Sequence, residues 1–435
     1  MSKCVIIGAG LSGLSMAYHL EEKYVVLESE SRVGGLCRTE TADGFTFDYT
    51  GHFLHIRNEK IKKLVFELMG EKLVTHERRS GIYLYGVTTP YPFQLNIYGH
   101  PPDLIKECLL GLIEATYSRA DVPAHTFEDW ILKTCGKGIA RHFMIPYNSK
   151  IWTVHPREMT TKWMGSYVPA PNIEAALDGA LRPPMKTMGY NANFYYPREG
   201  GIEALPASFL PFIRSLRLNT KVEWIDPVSR RVGAGGEAIA YDILVSTIPL
   251  KRLLQIMQHA DSRIVEMAEK LRHNSVCTVN LGIDRKRLSD YHWLYFPEEK
   301  YCFYRVGFPS QLSEGMAPAG AGSLNVEISC ADAHPVDEQT IVDRVIRDLK
   351  ASGILRDSDR ILTSKILRIP CAYVIYDRER EKVLPQIQDY LQSKGIYSIG
   401  RYGNWEYSAM EDAMFQGMQT AQLINAGGKA KAANG

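Results

Sequence analysis

An α/β fold is predicted by three observations on the sequence. Residues 4–52 read as strand, glycine turn, helix, strand and a second glycine turn. A middle stretch, about 95 to 185, carries helical spacing and ends among prolines. Several later runs have the length and alternation of strands. Together they give a Rossmann-like dinucleotide-binding domain, a helical insertion domain and an antiparallel β-sheet domain that carries substrate. The expected partition is 1–95 for the first part of the nucleotide domain and 96–185 for the helical insertion on its nucleotide-binding side. Residues 186–265 return to the nucleotide domain, 266–380 form the antiparallel sheet, 381–425 complete the nucleotide domain, and 426–435 are a disordered tail.

Val5, Ile6 and Ile7 form the first apolar run, and Gly8, Gly10 and Gly13 follow in G-x-G-x-x-G spacing. Gly8 allows the tight turn, Gly10 lets a pyrophosphate approach bare backbone, and Gly13 lets the helix sit close to the strand. Leu11, Leu14, Met16, Ala17 and Leu20 mark the packing side of that helix, whose N-terminus faces the phosphates. Tyr24 to Leu27 make the next strand, and Glu28 at its end is placed to accept hydrogen bonds from a ribose diol. The glycine triplet alone is a common turn pattern. Strands on both sides and an acid closing the second strand make it a nucleotide fingerprint. Ser31 to Leu36 then adds a second turn at Gly34-Gly35.

Phe45 and Phe47 alternate with polar neighbours, a strand period, before Thr50-Gly51-His52 turns the chain. A helix follows over 59–69, with short strands near Leu73 and Ile82. Pro101-Pro102-Asp103 starts a helix in which Leu104, Ile105, Cys108, Leu109, Leu112 and Ile113 keep helical spacing. Helix continues over 127–135 and 139–146, and Pro169, Pro171, Pro183 and Pro184 bracket the far end. Gly200-Gly201 opens a helix through Phe209. Runs 218–224 and 239–246 read as strands returning to the nucleotide domain. Runs 276–283, 293–296, 302–306 and 324–329 suggest the antiparallel sheet. Helices over 339–350 and 381–392, a strand over 396–399 and a helix over 410–424 close the chain.

Composition excludes several classes. Of 435 residues, 45% are apolar and 23% charged, and the net charge is +2, so bulk electrostatics make no case for nucleic acid or an anionic membrane. An anionic ligand would need a local arginine cluster. No apolar run approaches the roughly 20 residues that span a bilayer. Eight cysteines lie scattered without paired spacing, which reads as reduced thiols of a cytoplasmic protein. No Cys, His or Asp cluster suggests a metal. A homo-oligomer is left open.

The turn at Gly34-Gly35 after the ribose acid resembles the FAD domain of the amine oxidase and sugar-nucleotide mutase superfamily. Four further stretches resemble UDP-galactopyranose mutases, most closely the eukaryotic type. Thr89-Pro90-Tyr91-Pro92-Phe93-Gln94-Leu95-Asn96 is similar to their uracil-binding segment, and Pro146-Tyr147-Asn148-Ser149-Lys150-Ile151-Trp152 to its companion in the helical domain. Tyr301-Cys302-Phe303-Tyr304-Arg305 and Gly400-Arg401-Tyr402-Gly403-Asn404-Trp405-Glu406-Tyr407 are similar to their two diphosphate arginine segments. The four stand in the family's order.

The resemblance implies roles. Arg305 and Arg401 would pair their guanidinium forks with diphosphate oxygens. Tyr373 and Tyr407 would add hydroxyls, with core packing as the competing reading. Tyr91, Phe93 and Gln94 offer an aromatic face and an amide for a flat base. Asn148 and Trp152 would complete that pocket, though Trp152 suits a domain core almost as well. His52, after Gly51, would lie against the flavin. Cofactor contacts are expected at Gly8, Gly10, Leu11, Ser12, Gly13, Glu28, Ser29, Gly34, Gly35, Leu36, Gly51, His52, Val222, Gly400, Arg401 and Asp412.

The implied activity is redox-neutral. A nucleotide sugar would interconvert between pyranose and furanose through an adduct with N5 of reduced FAD, and NADPH or NADH would supply the starting electrons. The sequence departs from the mutase pattern at Thr50, where the family usually has glycine, at Cys37-Arg38, at Ser149 and after Tyr407. A protoporphyrinogen- or amine-oxidase-type enzyme shares the FAD motif and final helix but needs neither the two arginines nor a base-stacking segment. A flavin-binding regulatory protein without turnover is the third reading, and the joint presence of Arg305, Arg401 and His52 argues against it.

Overall fold

The computed structural model describes residues 3–118, 123–165, 168–183, 192–331 and 336–433. Its first layer is a parallel sheet in the order Ile396–Ser398, Ile243–Ser246, Lys3–Ile7, Lys23–Leu27 and Leu216–Arg217. Lys3–Ile7 and Lys23–Leu27 bury every residue but their first lysine. That suits strands covered on both faces and explains why they read as unbroken apolar runs. Gly8 turns with φ +99°, and a Cβ there would lie 2.3 Å from Oγ1 of Thr247. A Cβ on Gly13 would meet the Gly8 carbonyl oxygen at 2.0 Å, so helix Leu11–His19 can sit on its strand only with glycine there. The C-terminal helix, Met410–Ala433, lies along this helix, and Ser15 Oγ donates to the Met414 carbonyl at 2.6 Å.

The second layer is a seven-stranded sheet: Ile361–Ile369, Ser275–Ile283, Gly322–Cys330, Arg305–Gly307, Trp293–Tyr295, Ser80–Leu84 and Val87–Pro90. It is antiparallel except where Trp293–Tyr295 runs parallel to Ser80–Leu84. Its two faces differ. Leu324, Val326 and Ile328 join Val279 and Leu281 in an apolar core beneath helix Glu338–Ala351. Ser323, Asn325, Glu327, Thr278 and Asn280 are buried on the other face. There they hold the segment that follows strand Phe45–Asp48. Asn325 Nδ2 donates to the Asp48 carbonyl at 3.3 Å and Thr278 Oγ1 to the Tyr49 carbonyl at 2.7 Å.

The helical insertion comprises Pro102–Ser118, Phe127–Thr134, the run from Gly136 to Trp152, and Ile173–Leu181. A capping box between Thr126 and Asp129 starts Phe127–Thr134. Lys150 pins the insertion to the sheet, donating from Nζ to the carbonyls of Phe296 (3.0 Å) and Glu298 (2.7 Å). Pro184, expected to bracket the insertion, lies outside the described residues.

Five expectations need correction. Strands Ser80–Leu84 and Val87–Pro90, placed by sequence in the nucleotide domain, form one end of the seven-stranded sheet, because Ser80 to Ile82 pair with Trp293 to Tyr295. The run 218–224 is not one strand. Leu216–Arg217 ends the parallel sheet, Asn219 turns the chain at φ +52°, and Val222–Asp226 begins a separate three-stranded sheet. The run 239–246 divides likewise, with Glu237–Ala240 in that small sheet and Ile243–Ser246 in the parallel one. The helix after Gly201 is a short Ala204–Ala207 turn. The expected disordered tail is helical to Ala433, since its alanines and lysines are strong helix formers.

Candidate active site

A continuous cavity of about 610 Å³ runs between the layers. At one end it is walled by Gly8, Gly10, Leu11, Ser12, Glu28, Gly34, Gly35 and Leu36. The two glycine turns touch directly, with Gly10 bridged to Gly34 and Gly34 N donating to the Ala9 carbonyl at 2.9 Å. Glu28 is buried. Its Oε2 accepts from Ala9 N at 2.7 Å and its Oε1 from Glu30 N at 3.0 Å. A bare backbone turn, a helix N-terminus and a buried carboxylate closing the second strand fit a dinucleotide's pyrophosphate and ribose.

Midway along the cavity stand Thr50, Gly51 and His52. The Nδ1 of His52 is buried with no partner among the described residues. Burial pushes the imidazole down to about 4, with Glu327 pulling it up and Arg305 and Arg401 pressing it down. The ring is therefore neutral near pH 7 and free to bond a polar ligand atom.

Arg401 lines the same space. Its Nε and Nη2 donate to the Ala372 carbonyl at 3.3 and 2.9 Å, and Nη1 to the Ser408 carbonyl at 2.6 Å. Its guanidinium lies 5.2 Å from the ring centre of Tyr407 and 5.4 Å from that of Tyr373. No carboxylate forms an ion pair with it among the described residues, so its charge is available to an anion. Arg305 differs. Its Nη2 lies 2.7 Å from both oxygens of Glu327, which is 1% exposed. Burial alone would lower the Arg305 guanidinium, but the Glu327 carboxylate holds it well above its ordinary value.

Beyond the arginines the cavity becomes aromatic. Tyr373 stacks on Tyr407 with centroids 6.0 Å apart, and Trp152 meets both edge-on. Tyr91 contributes its ring under the Arg78 guanidinium at 4.5 Å, and burial pushes its hydroxyl up to about 12. Asn148 lines the wall beside Trp152 and donates to the Met144 carbonyl at 2.7 Å.

Several expected site residues lie elsewhere. Phe93 is fully buried against Phe143 in the helical core, because the chain turns after Pro92 into a 3-10 turn, Phe93–Leu95. Gln94 sits behind the wall, its Nε2 donating to the Pro169 carbonyl at 2.8 Å. Val222 is buried at the start of strand Val222–Asp226 and is not among the residues lining the cavity. Ser29 touches only the Glu28 carboxylate, 3.2 Å away, and not the cavity. Asp412 accepts from Ala409 N at 2.7 Å at the start of the last helix. Gly13 acts through packing, as expected of it, and Gly400 lines the cavity.

The sequence reading missed Thr50, Arg78, Tyr147, Trp163, Tyr295 and Tyr304, all on the cavity wall, and Glu327 behind it. Glu327 carried a signal: Asn325 and Glu327 alternate with Leu324, Val326 and Ile328, which places a carboxylate on one face of a strand whose other face is apolar. The isolated Arg78 carried none. Among the described residues no group of three His, Cys, Asp or Glu side chains is arranged to hold a metal. All eight cysteines are free, and no described helix is long and apolar enough to cross a membrane.

Comparison with known proteins agrees with this geometry. The model of the flavin-containing amine oxidoreductases matches residues 11–425. A crystal structure of a reduced UDP-galactopyranose mutase superposes with a TM-score of 0.91 at 29% identity, covering 98% of this chain and 94% of the other. The dTDP-fucopyranose mutase of Escherichia coli is 24% identical over 182 residues, 37% of this chain and 44% of that protein. The chloroplastic protoporphyrinogen oxidase 1 of Spinacia oleracea is 26% identical over 174 residues, 37% of this chain and 30% of that protein. The matches to these two curated relatives thus span less than half of their lengths.

Proposed function

We propose that this chain, which belongs to the flavin-containing amine oxidoreductase family, is a nucleotide-sugar mutase that interconverts pyranose and furanose rings. The observation that carries this reading is the continuity of the cavity. The dinucleotide turns open directly onto Arg401, Arg305, Tyr373 and Tyr407. An oxidase of amines or porphyrinogens has no leaving group that calls for two guanidinium groups. The whole-length likeness to a reduced UDP-galactopyranose mutase supports the same choice.

FAD would be held by Gly8, Gly10, Leu11, Ser12, Glu28, Gly34, Gly35 and Gly400, with NADPH or NADH as reductant. When bound and reduced, the flavin supplies redox-neutral nucleophilic chemistry at the anomeric carbon of the sugar. The chain's own residues do the rest. Arg401, held by carbonyls rather than by a carboxylate, places an uncancelled positive charge where the nucleoside diphosphate departs. The Tyr373 and Tyr407 hydroxyls donate to the same oxygens. Neutral His52, its buried Nδ1 unpaired, would offer the flavin a hydrogen-bonding group. Tyr91, Asn148 and Trp152 hold the base and exclude water. The printed names of the two mutases point to uridine or thymidine nucleotides as first candidates.

Fluorescence titration of the FAD-loaded protein with UDP, dTDP and GDP tests the reading. It predicts saturable binding that Arg401→Ala weakens several-fold or more while FAD stays bound. Equal affinity in the variant contradicts the arginine's role. No nucleotide binding, together with steady peroxide from a porphyrinogen or an amine in air, would move the answer to an oxidase.

A further inference from the structure

Glu327 has no part in the chemistry above, yet it is the most connected side chain near it. It is 1% exposed and projects from strand Gly322–Cys330 on the polar face of the sheet. Its Oε1 accepts from Thr50 Oγ1 at 2.7 Å, Gly51 N at 3.0 Å, Arg305 Nε at 3.0 Å and Arg305 Nη2 at 2.7 Å. Its Oε2 accepts from Arg305 Nη2 at 2.7 Å and from the Tyr304 hydroxyl. That hydroxyl lies 3.4 Å from the hydroxyl of Tyr373. Thr50 closes the ring, its Oγ1 accepting from Arg305 Nη2 at 3.2 Å. Burial pushes the carboxyl up, but Arg305 and the donors from Tyr304 and Gly51 hold it below its usual value, so it carries full charge.

A carboxylate this deep is costly to bury unless cation and donors satisfy it completely, as they do here. An ion pair with Arg305 alone would meet that need. The bonds to Thr50 and Gly51 go further, because they belong to the turn that ends at His52. Thr278 and Asn325 pin the two preceding carbonyls of the same segment, Tyr49 and Asp48. The segment is thus fixed to the sheet residue by residue, and Arg305 is fixed to the segment.

We propose that Glu327 and Thr50 form a positioning clasp. It locks Arg305 in one pose, ties that pose to the turn presenting His52 to the flavin, and places one buried negative charge between the two. The clasp rests on the mutase reading for its nucleotide ligand, but on FAD binding alone for its effect on the flavin. Held by Glu327, Arg305 keeps only part of its fork for a ligand. Its charge is balanced by Glu327, so the diphosphate is held in register yet released after recapture.

The test uses the full-length FAD-loaded enzyme and two near-isosteric variants. E327Q removes the charge and keeps the shape. It should retain FAD and bind UDP several-fold more tightly, since Arg305 loses its counter-ion. Its kcat should fall about tenfold or more as the pose loosens. The flavin midpoint potential should move positive, because a buried negative charge that opposes reduction is gone. T50V removes only the hydroxyl, so kcat should fall several-fold with potential and UDP affinity unchanged. Unchanged potential and UDP affinity in E327Q, or unchanged kcat in T50V, overturns the clasp. If E327Q does not fold, T50V decides alone. A wild-type protein that binds no nucleotide and isomerises no nucleotide sugar overturns the mutase reading instead, and the potential of E327Q still decides the clasp.

Discussion

At His52 the physics is set by burial. Its ring is pushed down to about 4, and burial moves His55 to about 4 and His292 to about 3. Unfolded, each titrates near 6.5. Unfolding therefore takes up protons between those values, and their contribution to stability is lost as pH falls from about 6.5 toward 4. Asp48 runs the other way. Burial raises its carboxyl to about 6, against the hydrogen bonds from Tyr196, Thr39 and Ile202 N, so it adds relative stability as pH falls through that value. Three rings outweigh one carboxyl, so the melting temperature should drop from pH 6.5 to pH 4.5. His292→Asn should flatten that slope, and a calorimetric pH series checks it. Legibility at this scale was uneven. Arg401, Tyr407 and His52 stood in recognisable segments, and the structure sets them on the cavity wall. Phe93 stood in one segment with Tyr91, yet Tyr91 lines the cavity and Phe93 packs in the core, because residue type says nothing about which way a turn faces.

Among elements, the glycine turn and its helix were the most legible, because their spacing is dictated by contact with backbone. A Cβ on Gly13 would press on the Gly8 carbonyl oxygen at 2.0 Å, and no flexible atom there can yield. Gly13→Ala should cost about 1–3 kcal/mol, read as a lower denaturation midpoint, with weakened FAD retention. Gly10→Val should abolish FAD retention, because it fills the space where the two glycine turns face the cavity. A yellow, flavin-loaded Gly10→Val protein would sink the pyrophosphate assignment. Edge elements were the least legible. The hairpin of Ser80–Leu84 and Val87–Pro90 belongs to a sheet whose remaining strands lie about two hundred residues or more away, and only pairing with Trp293–Tyr295 reveals it. The run 239–246 serves two sheets, and Tyr241-Asp242 is the break between them.

At the scale of the whole molecule, the cavity lies between a parallel sheet, which builds the dinucleotide turns and leads from strand Ile396–Ser398 into Arg401, and an antiparallel sheet that carries Arg305. The helical insertion closes the aromatic end. Lys150 fastens that insertion through two carbonyls of the sheet domain, and burial lowers its ammonium to about 8. Lys150→Met would leave both carbonyls without this donor. Faster hydrogen exchange confined to helix Ile145–Trp152 and the 296–300 turn is expected, with the nucleotide domain unchanged. The order of layers followed from sequence because each layer has its own period. The joining of three distant segments at Glu327 did not, because nothing in a chain marks which buried acid meets which arginine.

In the proposed function, one cavity brings a flavin and a diphosphate site together for ring exchange. Anaerobic turnover of the chemically reduced protein with a panel of UDP-, dTDP- and GDP-sugars, read by chromatography, tests it most directly. The account predicts pyranose–furanose interconversion of at least one sugar that requires reduced flavin and is lost in Arg401→Ala. No ring isomer from any sugar, with peroxide formed from a porphyrinogen or an amine in air, would contradict it.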